Sequence, residues 1–307
     1  MSVIDVSYGD SSSQFVRIHK PTTIISASTD TDNADALIPY ATVVIIHGGF
    51  FKSKYGIDNA AIDTLAPFLV NKNYVVCEVE YRRSEEGGWP LSNQDIENAI
   101  ESISNLDYVD SNRIIIIGHS AGGTLALWLC SQGSSLIKSN NEFLEEKVNV
   151  ALCVAVAPIT DLIAGARQKL SDEGDAIQRY MGNGDIGSPL EPKPSIPSTQ
   201  TNSDIDTNIV QEKDAYTEAS PASLLPLRCP TVLVAGSKDE DIPLEMIDAY
   251  YRAASSSSNS NSNSNSATAS GSISLLVHAD ADHYDLMNAQ SNAWLTTYNT
   301  ISTLVPA

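Results

Sequence analysis

The sequence predicts an α/β fold, a mostly parallel doubly wound sheet with helices on both faces, and two observations carry that expectation. Six short runs rich in Val and Ile lack the polar alternation of a half-exposed strand: Ala41–Ile46, Tyr74–Val79, Arg113–Ile117, Val148–Val156, Thr231–Ala235 and Ser272–Val277. Unbroken apolar strands belong to parallel sheets covered on both sides. Stretches of helical period fill the gaps between them, and strand–helix alternation over 307 residues suits one such domain.

Taken in order, Phe15–Ile18 reads as a strand, a candidate hairpin edge of the sheet. After Ala41–Ile46, the apolar residues Ala61, Leu65, Phe68 and Leu69 recur at helical spacing. After Tyr74–Val79, Ile96, Ala99, Ile100 and Ile103 do the same, and Ser92 with Asp95 resembles a capping box at the start of that helix. Thr124–Leu129 reads as a buried helix, and Leu295, Tyr298, Ile301 and Leu304 mark a last one. Two segments interrupt this rhythm. The Ser/Asn-rich tract 255–272 offers too little apolar surface to offset its ordering entropy, so a disordered insertion is expected there. The connection 159–220, with Pro, Ser and Asp gathered over 182–214, is long enough to be a lid. A lid insertion is the expectation; a passive insertion is the alternative.

Charge and cysteine usage narrow the function classes. Lys and Arg number 18 against 38 Asp and Glu, a formal net charge of −20. A surface so acidic repels phosphate backbones and anionic lipid, so neither nucleic acid nor membrane is expected as a partner. No apolar run reaches the roughly 20 residues of a membrane helix, and the first ten residues have neither the basic nor the apolar stretch of a secretory signal. Cys77, Cys130, Cys153 and Cys229 form no C-x-x-C pair and read as buried free thiols. A cytoplasmic protein is expected, with no metal site and no cofactor.

Chemistry enters at Gly118-His119-Ser120-Ala121-Gly122, which fits G-x-S-x-G. The pattern alone is common. Its context is specific: four isoleucines precede it as a strand, and the helix 124–129 follows. A sharp strand-to-helix turn lifts a serine hydroxyl above the sheet, and glycine on either side avoids clashes. Ser120 is therefore the candidate nucleophile. The Ala121 N–H, at the helix start, can stabilise negative charge beside it. His47-Gly48-Gly49-Phe50-Phe51 ends an earlier strand, and such a loop can aim backbone N–H donors at a developing oxyanion.

A serine hydroxyl needs a general base, and the base needs a carboxylate to orient it. Five histidines are available. His19 precedes the core strands, His47 belongs to the glycine loop, and His119 adjoins Ser120 with its side chain expected to point elsewhere. His283 follows the last strand in a loop that can reach the serine, which makes it the candidate base, with His278 as the alternative. For the acid, Thr231–Ala235 runs into Gly236-Ser237-Lys238-Asp239-Glu240-Asp241, and Asp239 is the candidate. Asp241 and Asp161 are alternatives, although Asp161 can equally cap a helix.

From about Val43 to Val305 the chain resembles the α/β hydrolases that include kynurenine formamidase and related small esterases. The likeness rests on HGGFF at His47–Phe51, VEYRR at Val79–Arg83, GHSAGG at Gly118–Gly123, SPASLLPL at Ser220–Leu227, GSKDEDIP at Gly236–Pro243 and DHYDL at Asp282–Leu286. The resemblance implies an α/β-hydrolase fold, oxyanion donors at Gly49 and Phe50 beside Ala121, and a triad of Ser120, Asp239 and His283. Phe51 stands where the formamidase motif has Trp, which removes an indole N–H. The implied activity is cleavage of a small ester or activated amide through an acyl-enzyme, with N-formylkynurenine as the formamidase alternative. Phe51, Tyr55 and Trp89 are candidate pocket residues or plain core. A prolyl oligopeptidase-type peptidase would need a large extra domain. A non-catalytic ligand receptor on this fold would be expected to lack part of the triad.

Overall fold

The computed structural model describes residues 1–22, 40–60, 62–134, 148–170, 173–182, 215–260 and 271–307. Each of the six apolar runs forms a strand: β3 (Tyr40–Ile46), β4 (Val75–Glu80), β5 (Val109–His119), β6 (Val150–Val156), β7 (Thr231–Gly236) and β8 (Ile273–His278). Two precede them. β2 (Phe15–Lys20) was expected, and β1 (Ser2–Ser7), largely exposed, was not. The eight strands form one sheet in the order β1-β2-β4-β3-β5-β6-β7-β8; the β1–β2 and β2–β4 pairs are antiparallel and the remaining pairs parallel.

The isoleucine run explains why β5 lies inside. Ile114 and Ile116 pack into one core layer, against α2 (Leu91–Ser104), α3 (Ala121–Leu129) and α6 (Leu244–Ser260). Ile115 and Ile117 face the other, with α1 (Leu65–Val70) and α7 (Asn292–Leu304). Successive strand residues point to opposite faces, so a strand covered on both sides needs apolar residues at every position. Each buried Ile contributes about 1.5–3 kcal/mol.

Register aligns the strand ends. Ile46 pairs with Gly118, Gly118 with Ala155, and Gly236 with His278. The loops after β3, β5, β6, β7 and β8 therefore leave one edge of the sheet together. In open parallel sheets this carboxyl edge is where ligands bind.

Two local expectations change. The capping box on α2 is not formed: Pro90 is the N-cap, and Ser92 and Asp95 are buried within the helix. Ser92 Oγ donates to Arg82 O at 2.7 Å, while Asp95 accepts from Arg82 Nη2 at 2.7 Å and from Gln14 Nε2 at 2.8 Å. A tertiary partner outcompetes a local cap. Helix α6 continues through the first residues of the Ser/Asn tract to Ser260, and residues 261–270 lie outside the described residues.

Within 159–220, helices α4 (Leu162–Gln168) and α5 (Ala176–Tyr180) pack on the body, with Leu162, Ile177, Tyr180 and Met181 buried in the first core layer. Residues 171–172 and 183–214, most of the stretch expected as a lid, lie outside the described residues.

Candidate active site

Ser120 occupies the turn between β5 and α3 with φ 54° and ψ −119°, a conformation that side-chain-bearing residues rarely adopt. The turn is held by Ser120 N–H donating to Val156 O at 2.8 Å and by Thr124 N–H donating to Ser120 O at 3.0 Å. Both flanking glycines are obligatory. A Cβ on Gly118 would stand 2.2 Å from Gly122 O, and one on Gly122 would stand 2.1 Å from Ile46 O. The G-x-S-x-G spacing thus follows from the elbow lying directly against the end of β3.

That contact also places the glycine loop. Gly48 abuts His119 and Ser120, and Gly49, Phe50 and Phe51 follow with φ of 107°, 56° and 56°. Among the described residues none of the N–H groups of Gly49, Phe50 and Ala121 donates to a backbone carbonyl. Successive N–H groups in left-handed backbone make an anion-receiving concavity. His47 supports the loop from beneath. Its ring is fully buried and stacks on Tyr81 at 4.5 Å, and its Nδ1 donates to Gly48 O at 2.7 Å. Burial pushes its pKa down to about 4, so the ring is neutral at pH 7. Tyr81 OH donates to His47 O at 2.9 Å, and the buried Glu80–Arg83 pair lies alongside.

Asp239 leaves β7 at the same edge. Its Oδ1 accepts the N–H groups of Asp241 and Ile242 at 2.9 and 2.8 Å, which fixes the carboxylate. Its Oδ2 lies 2.8 Å from His283 Nδ1, with both side chains buried. Facing a carboxylate, Nδ1 carries the ring proton and Nε2 keeps its lone pair. His119 locates His283 relative to the elbow: its Nε2 donates to His283 O at 3.1 Å, and the two rings are 4.6 Å apart. Burial, and then the neighbouring His283, hold the His119 pKa well below the usual range, so it is a neutral donor.

Of the alternatives, Asp161 and His278 sit elsewhere, whereas Asp241 lies beside Asp239 and His283. Asp161 is the N-cap of α4, with its Oδ1 accepting Ala164 N–H at 2.9 Å. His278 Nε2 pairs with Thr297 Oγ1 at 3.0 Å, on α7. His19 Nε2 meets Glu78 Oε2 at 2.6 Å within the sheet. Asp239, Asp241 and His283 place possible ligand atoms within 4.8 Å of one another. Both Asp239 oxygens in this cluster are engaged by N–H donors, Oδ1 by the backbone and Oδ2 by the His283 ring. All four cysteines are buried and free.

Of the candidate pocket residues, Phe51 is placed in the core: it is fully buried and stacked on Tyr180 at 4.0 Å. Tyr55 packs against Gly49 and near Phe50, and Trp89 is half-buried, edge-on to Trp128. Sequence reasoning missed the supporting roles of Tyr81, Glu80 and Arg83, although VEYRR marked their position. It also missed Tyr180 and the bond from His119 to the His283 carbonyl.

Several solved structures share this architecture. A truncated carbohydrate esterase from gut microbiota superposes with a TM-score of 0.66 at 14% identity, over 100% of this chain and 97% of that one. Esterase B from Lactobacillus rhamnosis gives 0.65 at 18% identity, over 98% and 84%. Esterase 2 from Thermogutta terrifontis gives 0.62 at 15% identity, over 98% and 90%. At these identities the likeness is one of fold, the α/β-hydrolase fold. No curated protein matches the chain. The BD-FAE family model matches residues 32–252, more than two thirds of the sequence, and the chain therefore belongs to the BD-FAE family.

Proposed function

We propose that this chain is a serine esterase acting on small carboxylic esters, with Ser120 as nucleophile, His283 as base and Asp239 as the orienting acid. The observation that carries the reading is the Asp239–His283 hydrogen bond at 2.8 Å, set beside a serine held in a strained elbow. His283 Nε2 takes the Ser120 proton as Oγ attacks the ester carbonyl, and Asp239 stabilises the imidazolium. The N–H groups of Gly49, Phe50 and Ala121 receive the oxyanion. Collapse of the tetrahedral intermediate expels the alcohol, which takes the proton from His283. Water then attacks the acyl-enzyme with His283 again as base, releasing the acid and Ser120. None of these steps calls for a metal or an organic cofactor.

Short acyl groups are favoured. The T. terrifontis neighbour is described with butyrate and with propionate bound, and also phosphonylated by sarin. An N-formyl arylamide, the formamidase reading, would use the same steps with an amine as leaving group. Fluorophosphonate labelling tests the assignment: wild type is modified at Ser120 and Ser120→Ala is not. Absence of label on folded wild type would refute it. Side-by-side turnover of p-nitrophenyl acetate, p-nitrophenyl butyrate and N-formylkynurenine separates ester from formamide cleavage. Turnover of the formamide alone would replace the ester reading.

A further inference from the structure

Two adjacent residues with side chains, Phe50 and Phe51, both stand at φ 56°. Left-handed backbone is unfavourable for such residues and persists only where surrounding contacts over-determine it. The sheet side supplies part of the restraint: Tyr81 OH holds His47 O, Lys52 N–H closes a turn onto Gly49 O at 2.9 Å, and Ser84 N–H reaches Phe51 O at 2.9 Å. The outer side comes from the connection after β6. Tyr180, the last residue of α5, lies flat on Phe51, with centroids 4.0 Å apart and rings within 15° of parallel. Tyr180 is itself pinned twice. Its carbonyl accepts Trp89 N–H at 2.7 Å, and its hydroxyl bonds to the Asn93 amide oxygen. The same connection also engages Lys52, whose Nζ pairs with Glu173 at 2.8 Å. Phe51 and Tyr180 are both excluded from water.

We infer that Tyr180 is a positioning residue for the oxyanion loop, so that the connection after β6 sets the reactivity of Ser120 without touching substrate. This rests on the serine-esterase reading. The physical route is short. Without the stack, Phe51 is free to leave its left-handed conformation, and the Phe50–Phe51 peptide turns with it. The N–H groups of Phe50 and Gly49, one and two residues upstream, then lose their aim. Misplacement of about 1 Å costs a large factor in rate, because the donors act only on the oxyanion that forms in the transition state.

The test uses the full chain and three variants: Tyr180→Leu, which removes the stack while keeping apolar volume, Tyr180→Phe, which keeps the stack, and Glu173→Gln on the exposed side of the clamp. The measurements are kcat and KM on p-nitrophenyl acetate, the rate of fluorophosphonate labelling, and the inhibition constant of phenylboronic acid. Tyr180→Leu is expected to lower kcat and labelling rate roughly tenfold or more, weaken the boronate in proportion, and leave KM within about threefold. Tyr180→Phe stays within about threefold of wild type. A folded Tyr180→Leu protein with wild-type kcat and boronate affinity overturns the inference, as does a fall in kcat with boronate affinity unchanged. If Tyr180→Leu does not fold, Glu173→Gln decides: a labelling rate reduced about threefold supports the inference, and an unchanged rate refutes it. Failure of wild type to label at Ser120 would be the separate failure of the esterase reading.

Discussion

Replacing Asp239 by Asn tests the orienting role proposed for this carboxylate apart from its bulk. Asn can keep its carbonyl oxygen where Oδ1 accepts the N–H groups of Asp241 and Ile242. Its NH2 group then faces His283 Nδ1, 2.8 Å away in the wild type. Two donors cannot share that contact, so His283 adopts the other tautomer, with the proton on Nε2, where it cannot accept the serine proton. Flipping the amide would restore the histidine bond but break both backbone bonds. At about 1 kcal/mol each, the flip costs about 2 kcal/mol, so only about 3% of molecules hold the productive arrangement. Residual kcat/KM is therefore expected below about 3% of wild type, and as low as the roughly 10⁴-fold loss typical of an Asp-to-Asn change in such triads. Initial rates on p-nitrophenyl acetate at pH 7.5, a chosen assay condition of about neutral pH, give the number, and circular dichroism checks the fold. A folded Asp239→Asn enzyme keeping more than about a third of wild-type activity would remove Asp239 from the triad and bring Asp241 forward.

Two further predictions concern stability. Asp95 is fully buried and is the shared acceptor for Arg82 and Gln14, so Asp95→Ala takes the acceptor from the Arg82 guanidinium and from Gln14 Nε2 and costs about 3–5 kcal/mol; an unchanged urea midpoint would contradict this. For His47 the folded pKa, about 4, lies below its ordinary value of 6.5. The unfolded chain therefore takes up the proton first, and the stability present above pH 6.5 is lost as pH falls toward 4, up to about 3 kcal/mol. His47→Gln should flatten this part of the profile, measured as the difference from wild type in urea titrations at successive pH; parallel profiles would mean that the ring is not buried in its neutral form.

The sheet was legible because each central strand carries its own signal: four consecutive isoleucines fit only a strand covered on both faces. The elbow was legible because its glycines are demanded by backbone atoms, Gly122 O and Ile46 O, that lie at the ends of recognisable strands. The exposed strand β1 was hidden because SVIDVS has little burial to encode. The capping box misled because Ser92 and Asp95 have the right types at the right spacing but find stronger partners in Arg82 and Gln14, the latter 81 residues away from Asp95. Tyr180 was invisible for a related reason. It stands in a long connection with no periodic pattern, and its importance comes from Phe51, an aromatic residue that reads equally well as a pocket wall.

The distribution of strained backbone ties these pieces together. Seven residues other than glycine have positive φ among the described residues: Phe50, Phe51, Asn73, Ser120, Ala157, Lys169 and Asp280. Five of them lie just past the carboxyl ends of β3, β5, β6 and β8; only Asn73, before β4, and Lys169, at the C-cap of α4, do not. Strain of about 1–3 kcal/mol per residue is tolerated where rigid surroundings leave no alternative, and the buried central sheet supplies that rigidity. Ala157 shows how: its N–H is fixed to Val234 O at 2.8 Å, one residue past the Val156 carbonyl that holds Ser120 N–H. The elbow thus leans on β6, and β6 on β7, the strand that delivers Asp239. A core substitution in β6 or β7 would reach Ser120 through this chain of backbone bonds, whereas one in β1, at the far side of the sheet, would not.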